Sequence, residues 1–326
     1  MIDAQQPSLT RYRRVAWVTI AAVYFLILVG ATVRASGAGM GCPDWPTCFG
    51  RWIPPVSESQ LPANYQEIYG GLGYADTQFN ALKTWTEYTN RLVGVSIGLM
   101  IFATTVFAWF CRQHDPRIFH ASLAAFFMVG FQGWLGARVV ASNLQPGMIT
   151  LHMLVALAIV AVLLFALARA RRGMMAAQPV SHIDRRYEKS LYVILGITLV
   201  QVILGTEVRE MTDFISREQG EAMRRSWIDF MPRLFYVHSR FAIVVLLANL
   251  WLAWLLARSL GWQHLLTRLQ IAGLLIVALA VFSGLTLGQL GMPAVIQPAH
   301  LLAASLLFGL QFLSWMSYRH ARENLT

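Results

Sequence analysis

The stretch KTWTEYTNRLVG, Lys83 to Gly94, stands at the mouth of an apolar run that continues to about residue 111. Glu87, Asn90 and Arg91 are spaced three and four apart, so a helix presents them on one face. A run of that length is enough to cross a bilayer, which takes roughly 20 residues. Ionisable groups at such a depth are costly and mark function when they occur. The alternative is an i,i+4 pair of Glu87 with Arg91 that snorkels at the interface.

Seven further runs share this character, at about 15–33, 118–141, 147–169, 190–208, 234–257, 266–289 and 295–318. Charged residues make up 13% of the chain, where a soluble domain carries about a quarter. The expected fold is an all-α polytopic membrane protein with eight transmembrane helices. Arg11, Arg13 and Arg14 precede the first run, and no A-x-A-like cleavage site follows closely, so the run reads as a span and not as a removed signal.

The net charge of +10 is explained by position. Basic residues gather before the first span, between spans two and three, after span four, between spans six and seven, and at the tail. By the positive-inside rule these segments and both termini are cytoplasmic, in a cell (inner) membrane, and nucleic acid is excluded as the reason for the charge. The loops 34–86, 139–146, 209–233 and 290–294 then face outward. Cys42 and Cys48 lie in the first of them, where an oxidising compartment permits a small disulfide. A metal site or two free thiols are the other readings. Cys111 reads as a small hydrophobe.

The second half echoes the first. LVGATVRA (28–35) is similar to ILGTEVRE (203–210), NRLVGV faces HSRFAI, GFQGWLG pairs with VFSGLTLG, and ITLHMLVALA matches QPAHLLAASL. Each half holds an even number of spans, which makes this a parallel repeat of two four-helix bundles. The expected divisions are a tail 1–14, a half 15–169 with its outer loop, a linker 170–189, a half 190–318 and a tail 319–326.

Three of the eight histidines, His152, His238 and His300, fall in the outer portions of spans four, six and eight. A lone intramembrane histidine is as often a packing residue. His238 and His300, however, occupy corresponding positions in one four-helix unit, which is what axial ligation of a bundle-held haem needs. A tetrahedral zinc site would want further ligands. In the first half His152 matches His300, but Asn90 stands where His238 would be. An amide is a poor iron ligand, so a haem on His152 keeps one face open, and Glu87 overlooks that face. Arg34, Arg91, Arg138, Arg209 and Arg240 ring the outer span ends against the charge trend. Haem propionates suit them as partners, with Glu207, Glu210 and lipid headgroups as the alternatives. SGAGMG has neither the strand nor the Lys-Ser/Thr of a phosphate loop.

The motifs VGATVRASGAGMGCPDWPTCFGRWIPP, EYTNRLVG and GWLGARVV, together with the paired span-four and span-eight histidines, resemble the haem A synthase family over roughly residues 15–318. The resemblance implies oxidation of a ring methyl of haem O to the formyl group of haem A, destined for cytochrome oxidase. It implies a structural haem b with its iron on His238 and His300, and the substrate haem in the first half beside Glu87, Asn90, Arg91 and His152. Glu87 is then the catalytic group, handling protons near the methyl or stabilising a developing cation. Asn90 departs from the family's histidine. Cys42 and Cys48 match the family's first-loop cysteine pair, and a second-loop pair found in some members is absent. A haem O synthase, an unidentified electron donor and a second copy of the chain are candidate partners beside membrane lipid. The rival functions are a non-catalytic haem-binding electron carrier and a transporter; the absence of a matched pair of Gly/Pro-interrupted spans argues against the latter.

Overall fold

A computed structural model describes residues 7–75, 77–172 and 185–323. Residues 173–184 of the expected linker, and residues 1–6 and 324–326 of the expected tails, lie outside the described residues. Among the described residues, eight helices are long and apolar enough to cross a membrane: α1 Pro7–Ala35, α2 Ala81–Trp109, α3 Pro116–Ala141, α4 Pro146–Ala170, α5 Arg185–Gln219, α6 Arg233–Leu260, α7 Leu265–Gln289 and α8 Ile296–Glu323. The chain is a multi-pass, all-α membrane protein.

Local chemistry sets several helix starts. The Asn80 side chain accepts from the Lys83 amide at the head of α2, and Asp115 accepts from Arg117 at the head of α3. His264 does the same for Leu266 in α7. Such caps satisfy backbone donors that a helix leaves without internal partners.

Two helices outrun the apolar pattern. α1 is already helical at Pro7, ahead of the apolar run, and its first turns are tied to the bundle, with Tyr12 Oη 3.0 Å from Ser122 Oγ and Arg13 Nε donating to Ala170 O at 2.7 Å. α5 continues to Gln219 through residues that read as loop, and a 3-10 helix, Glu221–Phe230, follows it. Trp227, 1% exposed, pins that segment into a cluster with Ile215, Met231, Leu287 and Met292. Residues 209–233 therefore cap the second half as helix, because hydropathy alone does not register a polar helix packed on one side.

The helices meet in two rings, α1–α2–α3–α4 and α5–α6–α7–α8, each closed by its first and last members. α2 and α4 are thus diagonal in one ring, as α6 and α8 are in the other. The rings join through α1 with α8, α4 with α8 and α4 with α5. Gly309 makes the closest approach possible there: a Cβ on it would lie 1.9 Å from Tyr24 Oη. At the end opposite residues 36–80, Asp115 and Arg169 pair at 2.5 Å, and Glu188 and Arg322 pair at 2.7 Å.

Candidate functional site

The long loop folds over the open end of the first ring. Asp44 organises its tip, with its oxygens accepting from the Phe49 amide at 2.6 Å, the Gly50 amide at 2.9 Å and the Thr47 hydroxyl. Phe49 sits edge-on to Tyr69, Tyr74 and Phe79, and the Tyr74 hydroxyl donates to Met40 O at 2.5 Å. Burial, then the charge of Glu87, holds the Tyr74 phenol above its ordinary value. Cys42 and Cys48 are joined as a disulfide within this cluster.

The polar face of α2 holds the loop down. Glu87, 4% exposed, accepts from the Cys42 amide at 2.8 Å and from Arg91 Nε at 3.2 Å, and it pairs with Arg91 Nη2. Arg91 then donates to Asp44 O at 2.6 Å, Thr47 O at 2.9 Å and Cys42 O at 3.2 Å. Thr84 donates to Gly41 O at 2.9 Å. Gly41 must be glycine for this docking, since a Cβ would come within 2.3 Å of Lys83 O. The Glu87–Arg91 pair is thus buried beneath the loop and does not snorkel.

The three span histidines share one setting. His238 and His300 face each other with ring centres 6.3 Å apart and planes inclined by 72°. Each ring backs onto a glycine of the preceding helix: a Cβ would lie 3.1 Å from His238 Cε1 at Gly205 and 3.2 Å from His300 Cε1 at Gly284. Gly136 backs His152 in the same way at 3.4 Å, and Gly30 lies behind Asn90 Oδ1 at 3.8 Å. Two glutamines brace the same helices, Gln132 Nε2 donating to His152 O at 3.0 Å and Gln201 Nε2 to His238 O at 3.1 Å.

These side chains fit a haem. His238 Nδ1, His152 Nδ1 and Asn90 Oδ1 are buried without a protein partner, and buried polar atoms seldom stay unpaired. The Ser283 hydroxyl donates to Ala280 O at 3.0 Å, which uses its one hydrogen. With that hydrogen on Ala280 O, the Ser283 oxygen would accept from His300 Nδ1, 2.9 Å away, a tautomer that keeps the His300 Nε2 lone pair for a metal. Imidazole–metal bonds of roughly 2 Å on either side of one ion are compatible with the separation of the two rings. Among the described residues no group of three His, Cys, Asp or Glu side chains is placed to hold a metal ion, so tetrahedral zinc lacks its ligands.

Arg34 and Arg209 meet a carboxylate that sequence reasoning did not pair with them. Arg34 reaches Asp213 through Nε at 2.9 Å and Nη2 at 2.8 Å, Arg209 Nη1 pairs with the same group, and Arg209 Nη2 donates to Arg34 O at 3.1 Å. This knot ties α1 to α5. Its one sequence signal is the i,i+4 spacing of Arg209 and Asp213. Arg240 and Arg138 are exposed. The bracing glutamines and their glycines were legible as a repeated Q-x3-G, at 132–136 and 201–205, and were missed.

A family model described as cytochrome oxidase assembly protein matches residues 13–312. A heme A synthase of Methylobacterium radiotolerans is 30% identical over 205 residues, covering 58% of this chain and 53% of that protein. One of Shewanella oneidensis is 28% identical over 191 residues, covering 58% and 54%. One of an Exiguobacterium species is 26% identical over 298 residues, covering 90% and 89%. The chain thus spans about half the length of the first two relatives and most of the third.

Proposed function

The chain belongs to the family of cytochrome oxidase assembly proteins, and from that premise we propose that it oxidises a ring methyl of haem O to the formyl group of haem A for cytochrome oxidase. The observation that carries the reading is the facing His238 and His300 pair, each ring set against a glycine. These two would hold a haem b, and His152 in its Gly136 niche would hold the substrate haem. The iron supplies the oxygen and electron chemistry when the haems are bound.

The chain's own residues then have separate tasks. Asn90 occupies the fourth niche with an amide, which would be a poor ligand to an iron held on His152. Glu87 is the carboxylate one helical turn from Asn90. Both of its oxygens already accept hydrogen bonds, a placement that favours a fixed negative charge near the reacting edge over a mobile proton carrier. Arg91 keeps Glu87 in place and the loop shut above it. The repeated glycine niches support two four-helix halves with one plan. The basic segments support cytoplasmic termini and an outward loop end in the cell membrane. A haem O synthase and an electron donor are the expected partners.

The test is haem extraction and chromatography from the chain co-expressed with a haem O synthase. Haem A, or its hydroxylated precursor, beside haem B is the expected result; haem B with unconverted haem O refutes the proposal and leaves an electron carrier. Glu87→Gln, which keeps an acceptor for the Cys42 amide, is expected to stop product formation while the bis-histidine low-spin spectrum persists. Product at the parental rate would remove Glu87 from the chemistry.

A further inference from the structure

Between the loop ends of α1 and α2 lies an apolar groove of about 490 Å³, within the range of small-molecule sites. Phe25, Val29 and Val33 form its α1 wall, at i, i+4 and i+8, over about 12 Å of helix. Trp85, Thr86 and Thr89 form its α2 wall. Threonine hydroxyls do little to make it polar: Thr86 Oγ1 is turned to Leu82 O at 2.7 Å, and Thr32 Oγ1 to Leu28 O at 2.9 Å.

Two polar atoms, one on the lining and one on a neighbouring residue, lack partners. Trp85 Nε1, on the lining, and Asn90 Oδ1, on the residue after Thr89, are both buried and unbonded. One is a donor and the other an acceptor, so a hydroxyl can serve either. The groove lies beside the first niche: Gly30, which follows Val29 on the α1 wall, is the residue that backs Asn90.

We propose that this groove seats the hydroxyl-bearing isoprenoid chain by which haem O differs from haem B. The assignment rests on the function proposed above. A macrocycle held between the diagonal helices α2 and α4 must send its long chain out between neighbouring helices, and this groove opens beside Asn90. A phospholipid acyl chain would fill the apolar length but would bring no hydroxyl to Trp85 and Asn90.

The test uses the full chain in lipid nanodiscs with a diazirine-bearing farnesol as the photoprobe, and adducts are mapped by mass spectrometry. Adducts are expected within 25–33 and 85–89, suppressed by haem O and not by haem B. Val29→Trp, which fills the groove from its α1 wall, is expected to cut labelling and haem O affinity about tenfold or more, the equivalent of a few buried methylenes. The haem b spectrum should not change. Adducts elsewhere, equal suppression by haem B, displacement by phospholipid, or loss of labelling on self-association would each overturn the proposal. Groove adducts displaced by haem O in a chain that forms no haem A would refute the oxidation and leave the groove assignment standing. Haem A formation with adducts elsewhere would do the reverse.

Discussion

Arg91→Ala should release the long loop from the first ring. Arg91 makes five hydrogen bonds, two to Glu87 and three to loop carbonyls, and its side chain is 12% exposed beside a carboxylate at 5%. Removing one partner of a buried ion pair costs about 3–5 kcal/mol, because the other charge is left uncompensated. At about 1.4 kcal/mol per factor of ten, the docked state should lose roughly two to four orders of magnitude in population relative to the open one. Hydrogen exchange reads this directly, since the Cys42 amide is held by Glu87 and the Phe49 and Gly50 amides by Asp44. Their protection should fall by that factor while the Cys42–Cys48 bond stays intact. The double variant Glu87→Gln/Arg91→Met should lose less than the sum of the singles, by about 0.5–3 kcal/mol of coupling. A change below tenfold in Arg91→Ala, or strict additivity, would show that the pair does not hold the loop.

Three other outcomes follow from particular contacts. Gly205→Ala and Gly284→Ala, which push a Cβ to 3.1 and 3.2 Å from the histidine rings, should each lower haem b content about 10–100-fold, as losses of ligand orientation do; full haem loading by absorption spectroscopy would refute the niche argument. Gly309→Ala should destabilise the ring-to-ring contact by about 1–3 kcal/mol, and Tyr24→Phe should restore much of it by removing the hydroxyl that the new methyl strikes; thermal unfolding of the two variants decides this. The Tyr74 phenol, raised by burial and by Glu87, favours the docked loop while neutral. Its contribution is therefore complete below the ordinary phenol value of about 10 and is lost as pH rises toward the folded value. Loop protection should fall above that pH in the parent and show no such step in Tyr74→Phe.

The sequence announced the eight crossings because length and hydropathy are local properties. It missed what depends on partners. Residues 209–219 are helical because Arg209 and Asp213 pair one turn apart and the segment packs under Trp227, and none of that raises hydropathy. His238 and His300 could be matched by register alone, and their rings do face each other. Asp44 and Asp213 could not be matched so, since their work is with loop amides and with arginines on distant helices. The face of Glu87, Asn90 and Arg91 was plain from spacing. That Glu87 and Arg91 would grip a loop some 45 residues away was not, because backbone acceptors carry no residue identity.

The glycine niches explain how one of four matching positions can differ without disturbing the others. At each of four helix pairs a glycine lets the neighbouring polar side chain lie close: Gly30 behind Asn90, Gly136 behind His152, Gly205 behind His238 and Gly284 behind His300. A Cβ on the glycine would lie 3.1–3.4 Å from each of the three imidazoles and 3.8 Å from the amide, so asparagine crowds its glycine less than the histidines crowd theirs. A shorter polar group in a preformed niche leaves a small gap and forces no repacking, which a core tolerates better than an added group. In the function proposed above, asparagine in place of histidine would change the ligand offered to an iron while the helix contacts stay as they are. In that proposed reading, niches of one construction would serve different ends, one pairing two imidazoles and one leaving an amide beside Glu87.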